Sequence, residues 1–106
     1  MNISVDEILG ALNRNGCRFL LIGGMNFMLR HEPLLTFDVD VWIEDTSDNL
    51  RKCEAALNEL GAEWGATDEL WGPVSNLPPN WLDQQHVFSL TTPFGALDIF
   101  RSVRTA

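Results

Sequence analysis

Three aspartates in this 106-residue chain stand where carboxylates can act together. Asp38 and Asp40 fall in Phe37-Asp38-Val39-Asp40-Val41-Trp42-Ile43, a run whose strict alternation predicts a β-strand. Side chains two apart on a strand share a face, so Asp38 and Asp40 project together, about 6.5 Å apart, while Val39, Val41 and Ile43 face a core. Two ionised carboxylates at that spacing repel, unless one keeps a proton or a cation sits between them. Asp98 lies in a second apolar strand, Gly95-Ala96-Leu97-Asp98-Ile99-Phe100, on the face opposite Leu97 and Ile99. If the two strands are neighbours, about 4.8 Å apart, three carboxylates converge. Three hard oxygen donors without His or Cys suit Mg²⁺ or Mn²⁺ rather than zinc, and a pair of such ions suits in-line phosphoryl or nucleotidyl transfer. The alternative is an exposed polar strand face, with Asp98 neutralised by Arg101 or Arg18.

A glycine pair, Gly23-Gly24, follows the apolar segment 18–22, which reads as a buried strand, and precedes a short helix over 25–31. Glycines at such a junction let the backbone approach a ligand, and the N–H groups of the following helix can meet a phosphate. Arg30, one turn into that helix, is a candidate phosphate contact, and a surface ion pair is the competing role.

The remaining elements frame these residues. Ser4 and Glu7 form a capping box for a first helix carrying Val5, Ile8, Leu9 and Leu12 at helical spacing and ending at Gly16. Thr46 or Ser47 caps a helix whose buried stripe is Leu50, Cys53, Leu57 and Leu60, closed by Gly61. A short strand is expected near 62–64. Residues 65–82, with three prolines and Trp71 and Trp81, read as a long irregular loop containing at most a helical turn. Segments 85–91 and 95–100 form a hairpin turning at Thr92-Pro93-Phe94. Packing beneath the long loop, or a self-association surface, is the expected role of Trp64, Trp71 and Trp81, in preference to base stacking. His31 and His86 are isolated and read as surface residues.

Composition narrows the choices. Seven basic against fifteen acidic residues give a net charge of −8. Such a surface has no general attraction for nucleic acid. Cys17 and Cys53 match neither a zinc motif nor a disulfide framework, and two reduced core thiols in a cytoplasmic protein is the expectation. The N-terminus lacks the pattern of a signal peptide, and no run is long and apolar enough to span a membrane.

The order strand, Gly-Gly, short helix, Asp-x-Asp strand and later Asp-bearing strand resembles the nucleotidyltransferase superfamily typified by DNA polymerase beta and the aminoglycoside nucleotidyltransferases. The resemblance rests on Leu21-Ile22-Gly23-Gly24, Thr36-Phe37-Asp38-Val39-Asp40 and Leu97-Asp98-Ile99. The spacing is similar to that of small bacterial proteins related to abortive-infection toxins of toxin–antitoxin systems. The resemblance implies an α+β fold: a nucleotidyltransferase-like mixed β-sheet flanked by helices, in a single minimal domain over 1–106. It implies that Gly23 and Gly24 hold a nucleoside triphosphate, that Asp38, Asp40 and Asp98 bind two Mg²⁺ or Mn²⁺ ions, and that Asp98 helps activate the incoming hydroxyl. Thr36 would support the Asp-x-Asp strand or touch phosphate. Arg30, Lys52, Arg101 and Arg104 are the candidates to balance triphosphate charge.

The expected activity is transfer of a nucleoside monophosphate from NTP to a hydroxyl on a protein, an RNA end or a small molecule. Two alternatives stand beside it: an interaction protein with a vestigial site, antitoxin-like or homodimeric, and a plain nucleotide- or metal-binding module.

Overall fold

A computed structural model describes residues 5–22 and 38–101, with Asp38 described through its main chain only. Helix α1 (Val5–Arg14) leads into strand β1 (Phe19–Leu21). Strand β2 (Asp38–Ile43) is followed by helix α2 (Ser47–Leu60) and two short strands, β3 (Glu63–Trp64) and β4 (Gly72–Pro73). Strands β5 (Val87–Thr92) and β6 (Gly95–Arg101) are the last described elements. The six strands form one mixed sheet in the order β1-β2-β6-β5-β3-β4. Among the described strands only β2 and β6 run parallel; the other pairs are antiparallel.

Local chemistry accounts for the boundaries. Thr46 is the N-cap of α2, its hydroxyl accepting from the Asn49 amide at 3.3 Å. Gly61 ends the helix at φ 71°, a left-handed conformation that glycine takes without a Cβ clash. Gly65 is needed for a different reason: a Cβ there would lie 2.5 Å from the main chain of Trp71. The predicted capping residue of α1, Ser4, and the predicted helix over 25–31 lie outside the described residues.

One face of the sheet carries the core. Val39, Val41 and Ile43 of β2, Leu97 and Ile99 of β6, and Phe88 and Leu90 of β5 pack with Ile8, Ala11 and Leu12 of α1 and Leu50, Cys53, Ala56, Leu57 and Leu60 of α2. Burial of alternate strand residues against an amphipathic helix pair supplies the main driving force. Trp64 and Trp81 stack with ring centroids 5.7 Å apart, and both meet Phe88 edge-on, under the long connection as expected. Trp71 is different: it stays 41% exposed, its indole N–H donating to Glu63 at 3.2 Å.

Three expectations need correction. Segment 18–22 is not a buried strand: among the described strands β1 pairs only with β2, at the sheet margin, and Leu20, Leu21 and Ile22 are 66%, 41% and 43% exposed. The connection over 65–82 is more ordered than a plain loop, holding β4 and three 3-10 helices (Asp68–Leu70, Val74–Asn76 and Trp81–Gln84). Glu54 explains part of that order. Nearly buried on α2, it accepts from the amides of Asn80 at 3.4 Å and Leu82 at 3.0 Å, and Arg51 bridges it to Asp83. Finally, Cys17 and Cys53 are not free thiols. They form a disulfide, with Cα atoms 5.3 Å apart, that ties the end of α1 to α2.

Candidate functional site

The pairing of β2 with β6 assembles the site. In this parallel ladder Asp40 is the register partner of Asp98, and Asp38 stands opposite Ala96. Neighbouring strands are about 4.8 Å apart, so the Asp40 and Asp98 carboxylates leave the sheet side by side. Both belong to the face opposite the core, because Val39, Val41, Leu97 and Ile99 take the other. The parallel orientation itself had no signature in the sequence.

The surroundings of Asp40 are distinctive. The residue is half-buried, and its Oδ1 is a buried oxygen without a hydrogen-bond partner. Its main-chain carbonyl accepts from Ile22 at 2.8 Å, which extends the β1–β2 pairing by one step. Asp98 is half-buried beside it. Ser89 of β5 lies opposite Asp98 on the other side. Across the face opposite the core the carboxylate row therefore reads Ile22, Asp40, Asp98, Ser89.

The arginines considered for Asp98 have other carboxylates. Arg101 binds Asp45 at 2.8 Å and donates to the carbonyls of Leu82, Asp83 and Gln85. Arg18 binds Glu44 at 3.1 Å. Lys52, a candidate for triphosphate charge, is paired with Asp48 at 3.1 Å. Gly23, Gly24, Arg30, Thr36 and Arg104 lie outside the described residues, as does His31. His86 is exposed and joins β6 through its carbonyl, which accepts from the Arg101 amide at 2.9 Å.

The donor chemistry of Asp40 and Asp98 suits a hard divalent cation. Carboxylate oxygens are the ligands Mg²⁺ and Mn²⁺ prefer, and a buried carboxylate oxygen lacking a hydrogen bond is a site that a cation can satisfy. Among the described residues no group of three or more His, Cys, Asp or Glu side chains is gathered to hold a metal ion. The described part of the site is thus a two-carboxylate pair, with Asp38 two positions earlier on the same strand.

The sequence alone did not point to the pattern on one side of the carboxylates. Toward the ends of β2 and β6 the next row consists of Leu20, Trp42, Phe100 and Val87, register partners in turn. Leu20, Trp42 and Val87 are 66%, 47% and 48% exposed. Beyond that row comes the Arg18–Glu44 ion pair, held in place from below by Asn49. The Asn49 side chain accepts from the Arg18 amide at 2.7 Å and donates to the carbonyls of Arg18 and Glu44 at 3.1 and 2.8 Å. The signal was available: Trp42 and Phe100 each occupy the polar phase of their alternating strand.

Fold and site together define an α+β domain with one covered sheet face and one face carrying carboxylates on a central parallel strand pair. No family model, curated protein or solved structure matches the chain at a significant level.

Proposed function

We propose that this chain is a minimal metal-dependent nucleotidyltransferase domain that transfers a nucleoside monophosphate from NTP to a hydroxyl acceptor. The observation that carries the reading is the pairing of Asp40 with Asp98 on parallel neighbouring strands, with Asp40 Oδ1 buried and lacking a hydrogen bond. Asp40 and Asp98, with Asp38, would hold two Mg²⁺ or Mn²⁺ ions. When bound, such ions neutralise phosphate charge and align nucleophile and leaving group. Asp98 would accept the proton of the acceptor hydroxyl as its oxygen bonds to the α-phosphorus. The bond from that phosphorus to the bridging oxygen breaks, and pyrophosphate leaves. Gly23, Gly24, Thr36 and Arg30 are assigned to the triphosphate by the resemblance described above.

Incubation with Mg²⁺ and α-labelled NTPs tests this, using a pool of protein, RNA and small-molecule acceptors. Transfer of label that disappears in Asp40→Asn and Asp98→Asn is the expected result. Label that never leaves the nucleotide, with any base or acceptor, would remove the catalytic reading.

A second reading has its own support. Lys52 and Arg101 are committed to Asp48 and Asp45, so neither offers a free charge to a triphosphate. A vestigial site on an interaction protein, antitoxin-like or homodimeric, would look this way. Mg²⁺-independent association with a partner, unaffected by Asp40→Asn, would favour it.

No helix among the described residues is long and apolar enough to cross a membrane. A cytoplasmic setting is part of the proposal. The Cys17–Cys53 bond places a condition on it, since a reducing compartment keeps such pairs as thiols.

A further inference from the structure

We propose that the row Leu20, Trp42, Phe100 and Val87 is the seat of the nucleobase, and that Trp42 is its stacking platform. This rests on the reading that the carboxylate row holds the cation-bound phosphates. The sheet face opposite the core carries three kinds of residue in order. The Arg18–Glu44 pair comes first, joined at 3.1 Å. The apolar row follows, with Trp42 facing Leu20 on one side and Phe100 on the other. Asp40 and Asp98 come next, two residues back along β2 and β6.

That order matches one class of ligand. A nucleotide has a planar aromatic base bearing donors and acceptors at its edge, then a sugar, then phosphate. Two residues of extended strand separate the Trp42 and Asp40 positions by roughly 6.6 Å, a span a ribose covers between base and 5′-phosphate. The indole is 47% exposed and flat, and base–aromatic stacking tolerates any base. Arg18, Phe19, Leu20, Trp42, Ile43 and Glu44 line a shallow pocket of about 290 Å³. At its rim the Arg18 guanidinium can donate and the Glu44 carboxylate can accept, as a base edge requires. The charge pattern fits as well: the anionic end of the ligand meets carboxylates through cations, and its uncharged end meets the apolar row.

Binding of MgATP and of Mg-tripolyphosphate, measured on the wild-type chain, Trp42→Ala and Trp42→Phe, tests the assignment. Wild-type protein should bind MgATP about tenfold or more tightly than Mg-tripolyphosphate, the stacking share of affinity. Trp42→Ala should erase that difference without changing Mg-tripolyphosphate binding, and Trp42→Phe should restore most of it. Unchanged MgATP affinity in Trp42→Ala, with both probes still bound, would overturn the platform and leave the carboxylate site standing. Equal weakening of both probes would mark Trp42 as merely structural and overturn it too. If neither probe binds the wild type, the carboxylate reading itself fails, and the platform falls with it. A wild-type dimer that Trp42→Ala splits, with MgATP affinity unaltered, would give this row to a second copy of the chain instead.

Discussion

The central chemical fact is a pair of aspartates held side by side by a parallel strand pair. The buried core cluster of the described residues lies on the other face of the sheet. Replacing Asp40 by Asn should therefore leave metal-free stability within about 1 kcal/mol, as for most substitutions that remove no packed volume. The same change should abolish any rise in melting temperature caused by Mg²⁺, since metal binding to the folded state alone raises stability by mass action. Thermal melts with and without Mg²⁺ check both halves. A large loss of stability without metal would make Asp40 a structural residue.

Elements carry a different set of interactions. Glu54 of α2 is the fixed point for the helix Trp81–Gln84, accepting two amides and Arg51. Glu54→Ala would leave the buried Leu82 amide and the part-buried Asn80 amide without this partner, at a cost of about 2–4 kcal/mol. Faster amide exchange at 80–84, with β2 and β6 unchanged, is the expected local signature. At the other end of α2, Glu59 accepts from Arg14 and from Asn15 at 2.9 Å, linking the two helices. The hydrogen bond from Arg14, helped by Asn15, lowers the Glu59 pKa below its ordinary 4.5. The sign follows: the link is fully present above pH 4.5 and fades as pH falls through the lowered value. An NMR titration should find the Glu59 midpoint below 4.5 in the wild type and shifted back toward it in Arg14→Ala.

Element type and order over the described residues were largely legible from periodicity. The Asp-x-Asp strand and the Asp98 strand announce themselves because alternation separates apolar from charged phases within a single segment. Their adjacency is only a condition at the level of sequence, since the 51 residues between Ile43 and Gly95 carry no mark of a parallel partner. Segment 18–22 misled for a related reason: the apolar run after Arg18 looks the same at a sheet margin as at its centre. The strand Gly72–Pro73 was hidden because glycine and proline are poor strand formers, and edge pairing with β3 overrides that preference.

At the scale of the whole molecule, the disulfide closes a loop of 36 residues that contains β1, β2 and the start of α2. Two cysteines that far apart give no spacing signal, so only the folded packing of α1 on α2 reveals the pair. A crosslink of this span is worth about 2–4 kcal/mol, mostly by restricting the unfolded chain. Reduction should lower the melting temperature accordingly, and Cys17→Ala with Cys53→Ala should reproduce the loss and abolish the response to reductant. The sheet thus has one face committed to stability, stapled and packed with helices. The other is graded from an ion pair through an apolar row to carboxylates.

Counting bound Mn²⁺ by paramagnetic resonance, in the wild type and in Asp40→Asn with Asp98→Asn, tests the carboxylate site most directly. Stoichiometric Mn²⁺ binding in the wild type, displaced by Mg²⁺ and lost in the double variant, is the expected result. Equal binding by the two proteins, or none by either, would contradict a metal site between β2 and β6.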